Sequence, residues 1–201
     1  NGFSTGHGYL REPNSFQSYS ALGCIAIQAN QNEMHGGQSV PNFDYSMAPG
    51  VRKTFRKEYF KALAHYLAFH FGMTQKDAKA LVDAVKESLG TEDLTMSEER
   101  EYGMRLSRWL PRHQQEGGFQ RISDVECLNA HHAAVEVALT ETDKATYQAM
   151  EALVHNLNTM NSRAGAQVPF SSINYGTDTS PEGRMVIKNL LDATSAGLGN
   201  G

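Results

Sequence analysis

Apolar residues along this chain recur mostly at intervals of three and four, the spacing that lines one face of an α-helix. In the first such stretch, about Ser15 to Asn30, Phe16, Tyr19, Leu22, Ile25 and Ala26 follow it, and a helix is predicted. The polar, Gly-rich "NGFSTGHGYLREPNS" before it reads as loop. After it, Gly36-Gly37 ends helical geometry, and Gln38 to Phe43 reads as a short extended segment around Pro41. Pro49 suits the first turn of a second helix, about Pro49 to Phe71. Val51, Phe55, Tyr59, Leu63, Tyr66 and Phe69–Phe71 give that helix a wide apolar stripe.

Thr74 with Asp77 makes a start like a capping box for a third helix, which reaches Leu89 before Gly90. A fourth covers Ser97 to Leu110 and is predicted to stop at Pro111. After the "QQEGG" turn, helical patterns occupy Ser123 to Leu139 and Thr142 to Met160. "AQVPFSSINYG" is the best strand candidate, and Ser180-Pro181 starts a last helix that runs to about Ala196. No internal repeat or low-complexity tract is present. Many helices with two short strands far apart in sequence suit a slice of an α/β barrel better than a free-standing bundle.

Composition narrows the class. The chain has 201 residues, 40% of them hydrophobic and 20% charged, enough for one domain or a tight pair with a real core. A net charge of −4 gives no reason to expect nucleic acid or an anionic membrane as partner. No apolar run approaches the roughly 20 residues needed to span a bilayer. The two cysteines, Cys24 and Cys127, form no disulfide framework, which fits a reducing, cytoplasmic setting. The chain opens on Asn1 and closes on "GLGNG", and is expected to be a piece of a longer protein.

Three stretches carry candidate chemistry. In "VPFSSINYGTDTSPEG", period-two alternation sends Phe170, Ser172 and Asn174 to one side and Ser171, Ile173 and Tyr175 to the other. Ser180 can cap a helix whose N-terminal N–H groups attract an anion, most naturally a phosphate. Taken alone, the same stretch reads more readily as a polar strand end followed by an ordinary cap, and it lacks the spacing of a Walker loop. "NQNEMHGGQS" sets amides and His35 against two glycines, either a close backbone approach to a ligand or a helix end and turn. "VRKTFRKEYFK" places Arg52, Lys53, Arg56, Lys57 and Lys61 at a helix start, as phosphate ligands or as a solvated face opposed by the macrodipole.

The eight histidines form no metal-ligand pattern: His65 and His70 are predicted on different faces, and His131 and His132 diverge. No metal site is therefore expected in this chain. Cys24, Cys127, Trp109 and the methionines read as packing residues.

"STGHGYLREP", "AIQANQNEMHGGQSVPNFDYSMAPGVRKTF" and "HNLNTMNSRAGAQVPFSSINYGTDTSPEGRMV" together closely resemble the anaerobic (class III) ribonucleoside-triphosphate reductases. The order agrees and the likeness covers essentially the whole chain, with Gly72 to Gln120 the least diagnostic part. The resemblance implies a helix-rich α/β fold, of which residues 1–201 would be one partial domain. That domain would be an early slice of the ten-stranded barrel shared by ribonucleotide reductases and pyruvate formate-lyase. It implies reduction of ribonucleoside triphosphates at the 2′ position, with formate as reductant and a glycyl radical that generates a thiyl radical on a loop cysteine. It also implies a separate radical S-adenosylmethionine activase, a homodimer, nucleotide effectors (ATP or dNTP) and a structural zinc.

On that resemblance "GGQSV" and "VPFSSIN" are barrel strands. Ser171, Ser172 and Asn174, with His35, Gly36, Gly37 and Gln38, would bind or support the substrate. Glu12, Gln28, Lys57 and Lys61 would serve the effector, on helices near the dimer region. The family's first-strand cysteine would lie upstream of Asn1, and its loop cysteine, zinc ligands and radical glycine beyond Gly201. Cys24, Gly199 and Gly201 inherit no catalytic role, and the chain alone is expected to be inactive. The competing possibility is a non-catalytic nucleotide-binding or dimerisation module that reuses the same segment. A glycyl radical enzyme of the pyruvate formate-lyase kind is disfavoured by "HGGQS" and "FSSINYGTDTSPEG".

Overall fold

The computed structural model describes residues 11–33, 36–113, 121–159, 168 and 170–197. Its elements are α1 (Phe16–Glu33), β1 (Gln38–Val40), α2 (Phe43–His70), α3 (Gln75–Leu89), α4 (Glu99–His113), α5 (Asp124–Thr159), β2 (Ser171–Ile173) and α6 (Pro181–Ala196). The chain divides into two compact units, residues 1–54 with 143–201 and residues 55–142. The divisions fall within α2 and α5. None of the helices among the described residues is long and apolar enough to cross a membrane.

Two helices form where local signals asked for them. Thr74 caps α3, its hydroxyl accepting the Asp77 N–H at 3.2 Å, and Gly90 ends it in the left-handed region at φ 73°. Ser180 caps α6, accepting the Gly183 N–H at 3.1 Å, with Pro181 as first residue.

Three expectations are corrected. Helix α2 begins at Phe43, not Pro49, which lies inside it. Its start is fixed from afar, because the Phe43 N–H donates to the Asn174 carbonyl at 2.9 Å. Pro111 does not stop α4, which continues to His113. The His113 ring stacks on Trp109 with centroids 4.5 Å apart, and its Nδ1 lies 2.9 Å from the Trp109 carbonyl. The two predicted helices from Ser123 to Met160 are one 36-residue helix, α5. No Gly or Pro interrupts the ladder between Leu139 and Thr142, and the Thr140 hydroxyl donates back to the Glu136 carbonyl at 2.9 Å.

In the unit of residues 55–142, Phe55, Tyr59, Leu63 and Leu67 of α2 pack with Val82 and Val85 of α3, Leu106 and Leu110 of α4, and Ala130 and Ala134 of α5. The stripe of α2 is narrower than its sequence suggests: Phe71 is buried, but Phe69 is 85% exposed. In the other unit, Phe16, Ile27, Phe43, Met47, Val51, Met150, Val186 and Leu190 are buried. A Cβ at Gly50 would meet the Tyr19 ring at 2.8 Å, so α1 and α2 approach closely at that glycine. Strands β1 and β2 pair in parallel, with Gln38 opposite Ser171, Ser39 opposite Ser172 and Val40 opposite Ile173.

Candidate functional site

The strand pair sits in the unit of residues 1–54 and 143–201 and joins the two stretches richest in small polar groups. The Gln38 N–H donates to the Phe170 carbonyl at 2.9 Å, and the Asn174 N–H to the Val40 carbonyl at 3.0 Å. Pleating then separates the side chains. Ser39, Ser172 and Asn174 share the exposed face, where Asn174 Nδ2 lies 3.3 Å from Ser39 Oγ. Val40, Ser171 and Ile173 share the half-buried face. A Cβ at Gly37 would sit 2.7 Å from the ring of the exposed Phe170, which would have to turn aside, and 3.4 Å from the Phe170 carbonyl. Gly36 takes φ 101°, a conformation that L side chains rarely adopt.

Of the candidate substrate residues, the structure thus brings Ser172 and Asn174 together with Ser39 and places Ser171 on the opposite face. The Gln38 side chain is spent on α1: its Nε2 donates to the Ile27 carbonyl at 2.9 Å and its Oε1 accepts from Asn30 at 2.9 Å. His35 lies outside the described residues. Ser39 was not singled out from the sequence, although period two puts it beside Ser172 once the register is known.

The segment after β2 is wired to the start of α2. The Asp44 carboxylate accepts the N–H of Gly176 at 3.0 Å and of Asp178 at 2.8 Å through one oxygen, and the Thr177 hydroxyl at 3.3 Å through the other. Burial pushes the Asp44 carboxyl up, but these backbone N–H groups, with those of Tyr45 and Asp44 itself, outweigh it and hold it below the usual range. Asp178 in turn accepts the Ser180 N–H at 2.8 Å. Glu182, 1% exposed, faces Arg52 Nε at 3.6 Å. The end of α6, considered from sequence as a phosphate seat, is therefore already furnished with the protein's own carboxylates, which complement the helix dipole as an anion would.

The basic run does not start a helix, because α2 begins well before Arg52, and the macrodipole objection lapses. Arg52, Lys53, Arg56 and Lys61 of that run pair with carboxylates. Lys53 pairs with Glu12, lies 3.1 Å from the Pro13 carbonyl and stands over the Tyr19 ring. The hydrogen bond to Lys53 holds the Glu12 carboxyl below its usual range. Glu12 also lines an open pocket of about 340 Å3 with Arg11, Asn14, Ser18, Leu22 and Ile25. Gln28 is half-buried on α1. In the other unit, Arg56 bonds Glu92 and the Leu94 carbonyl, Lys61 pairs with Glu58 at 3.1 Å, and Lys57 is exposed.

The unit of residues 55–142 holds a buried polar chain that sequence reasoning missed. The Tyr59 hydroxyl lies 2.8 Å from His131 Nδ1, and His131 Nε2 lies 2.9 Å from a Glu99 carboxylate oxygen. Burial lowers the His131 pKa against the opposing pull of Glu99, and burial raises that of Tyr59. A neutral imidazole donating to Glu99 and accepting from Tyr59 satisfies every group. Adjacent histidines gave no hint of this, since the partners come from α2 and α4. His65 and His70, expected on different faces, both border one pocket with Tyr66 and Phe69.

Burial pushes the Cys127 thiol up to about 12 and raises that of Cys24, so both behave as packing residues. Among the described residues no three His, Cys, Asp or Glu side chains are placed to hold a metal ion.

With this geometry in place, comparison with known families decides the affiliation. The family model described as anaerobic ribonucleoside-triphosphate reductase matches residues 1–201. The chain belongs to that family. No curated protein matches this reductase-family chain. Membership makes an oxidoreductase acting on nucleotides the frame for the strand pair and the helices around it.

Proposed function

We propose that this chain is a segment of an anaerobic reductase that converts ribonucleoside triphosphates to 2′-deoxyribonucleoside triphosphates by glycyl and thiyl radical chemistry, with formate as reductant. The observation that supports it best is the β1–β2 pairing. It joins "GGQS" to "FSSIN" and presents Ser39, Ser172 and Asn174 on one exposed polar face. Two adjacent parallel strands with small hydroxyl and amide groups on one side suit the inner wall of an α/β barrel, where a nucleotide's ribose and phosphates need several short donors. Gly36 and Gly37 keep that wall low, while Gln38 and Ser171 brace it from behind.

The radical glycine, the thiyl cysteine and the zinc belong to other parts of the enzyme, and the activase would install the radical. The residues present bind and orient. Glu12, Gln28, Lys57 and Lys61 are each proposed as contacts of a nucleotide effector in a homodimer, and the pocket supports Glu12, the one of the four that lines it. Neither nucleic acid nor a membrane is a proposed partner, and the setting is cytoplasmic.

The test is anaerobic, formate-dependent 2′-deoxyribonucleotide formation by the activated enzyme containing this chain. Product formation independent of formate contradicts the proposed reductant. The isolated 201 residues are expected to form no product.

A further inference from the structure

We propose that Asp44 is a positioning residue for the substrate-facing strand, holding the backbone of Gly176–Asp178 so that Asn174 and Ser172 keep their places on the polar face. The proposal rests on the β1–β2 face being the substrate wall.

Asp44 lies in the first turn of α2, where an acid ordinarily stays at the surface and answers its own helix. Here the residue has no exposure, and its carboxylate reaches across to a segment more than 130 positions away. One oxygen takes the N–H groups of Gly176 and Asp178, which pins this irregular segment at two points. Gly176 takes φ 105° there, a conformation that favours glycine and is held by the carboxylate's grip on its N–H.

The consequence falls on Asn174. Its N–H is tied to Val40 and its carbonyl to the Phe43 N–H, the residue next to Asp44. Asn174 therefore sits between two fixed points, the end of β1 and the start of α2, and its amide meets Ser39 from there. Release of the carboxylate frees the chain from Gly176 onward and leaves the single bond to the Phe43 N–H as the anchor on the C-terminal side of Asn174. A displacement of an ångström at a group that holds the substrate is enough to lower kcat/KM strongly.

The experiment uses the activated enzyme containing this chain, with Asp44→Ala, Asp44→Asn and Thr177→Val. Amide hydrogen exchange at Gly176 and Asp178 reads the latch, and KM and kcat for the ribonucleotide read its purpose. Asp44→Ala is expected to lose protection at both amides and to lower kcat/KM at least about tenfold, mainly through KM. Asp44→Asn is expected to recover to within roughly threefold of wild type, because its carbonyl oxygen accepts both N–H groups and its NH2 donates to the Thr177 oxygen. Unchanged protection in Asp44→Ala overturns the latch. Lost protection with wild-type KM overturns its positioning role. Should Asp44→Ala fail to fold, Thr177→Val removes one arm alone. It is expected to raise KM about two- to threefold, and a wild-type KM there overturns the proposal. Ser172→Ala and Asn174→Ala run in parallel separate the two ideas. Wild-type kinetics in both, beside a defect in Asp44→Ala, reject the substrate wall. A defect in both, beside wild-type Asp44→Ala, rejects the role of Asp44.

Discussion

Asn174 Nδ2 lies 3.3 Å from Ser39 Oγ, a bond between residues 135 positions apart that only the parallel pairing of β1 with β2 can form. It ties the two polar stretches of the sequence into one face. It also shows why that face is built of short side chains. Longer ones would fill the space in front of the strands, whereas serine and asparagine leave it open with donors and acceptors at its floor.

The narrow stripe of α2 gives a stability contrast. Phe69, which is 85% exposed, can be replaced by Ser with a change within about 0.5 kcal/mol. Phe71, which is 6% exposed, is expected to cost about 3–5 kcal/mol when cut to Ala. Urea unfolding of both variants checks this, and equal effects would mean that the packed face of α2 is misplaced.

The buried His131 makes stability depend on pH. Its folded pKa lies below the unfolded value of about 6.5. Between the two, the unfolded chain binds the proton and the folded chain does not, so stability rises with pH across that window and falls as pH drops below about 6.5. His131→Gln is expected to flatten that part of the curve. Denaturant midpoints measured from pH 7.5 down to pH 5.5 read the slope directly.

Gly103 tests the same chain sterically. A Cβ there would lie 2.4 Å from the His131 ring, so Gly103→Ala is expected to destabilise by about 1–3 kcal/mol despite alanine's better helix propensity. A stabilised Gly103→Ala would show that the ring can move aside at little cost.

Where the fold was legible in sequence, the signal was local. Thr74 with Asp77, Gly90, and Ser180 with Pro181 mark helix ends through bonds made within three or four residues, so α3 and α6 were placed to within a residue. Where it was not, a remote partner decided. Phe43 starts α2 because Asn174 accepts its N–H, and no property of "NFDYSMAPG" announces that. The alternation in "FSSIN" separated Ser172 and Asn174 from Ser171 before any register was known. Asp44 and His131 stayed hidden because a buried acid and a buried imidazole acquire meaning only from the backbone or carboxylate opposite them.

The effector candidates on α2 carry their own test. Lys57→Ala and Lys61→Ala in the enzyme containing this chain are expected to weaken dNTP effector binding by about 1–3 kcal/mol per lost phosphate contact. Lys61 gives up only an exposed pair with Glu58, so folding stability should barely change. Unchanged effector affinity by calorimetry would assign both lysines to a solvated face.

The most direct test of the substrate wall is the formate-dependent reduction rate of Ser172→Ala and Asn174→Ala, measured beside thermal unfolding and beside Ile173→Ala. Ser172 and Asn174 are on the exposed face and contribute little packing, whereas Ile173 is half-buried, so its truncation should cost about 1–2 kcal/mol, less than a full core deletion. Ser172→Ala and Asn174→Ala are expected to lower kcat/KM about tenfold or more while unfolding within about 2 °C of wild type, and Ile173→Ala to show the reverse. Wild-type turnover in both Ser172→Ala and Asn174→Ala would contradict a substrate-facing role for the strand pair.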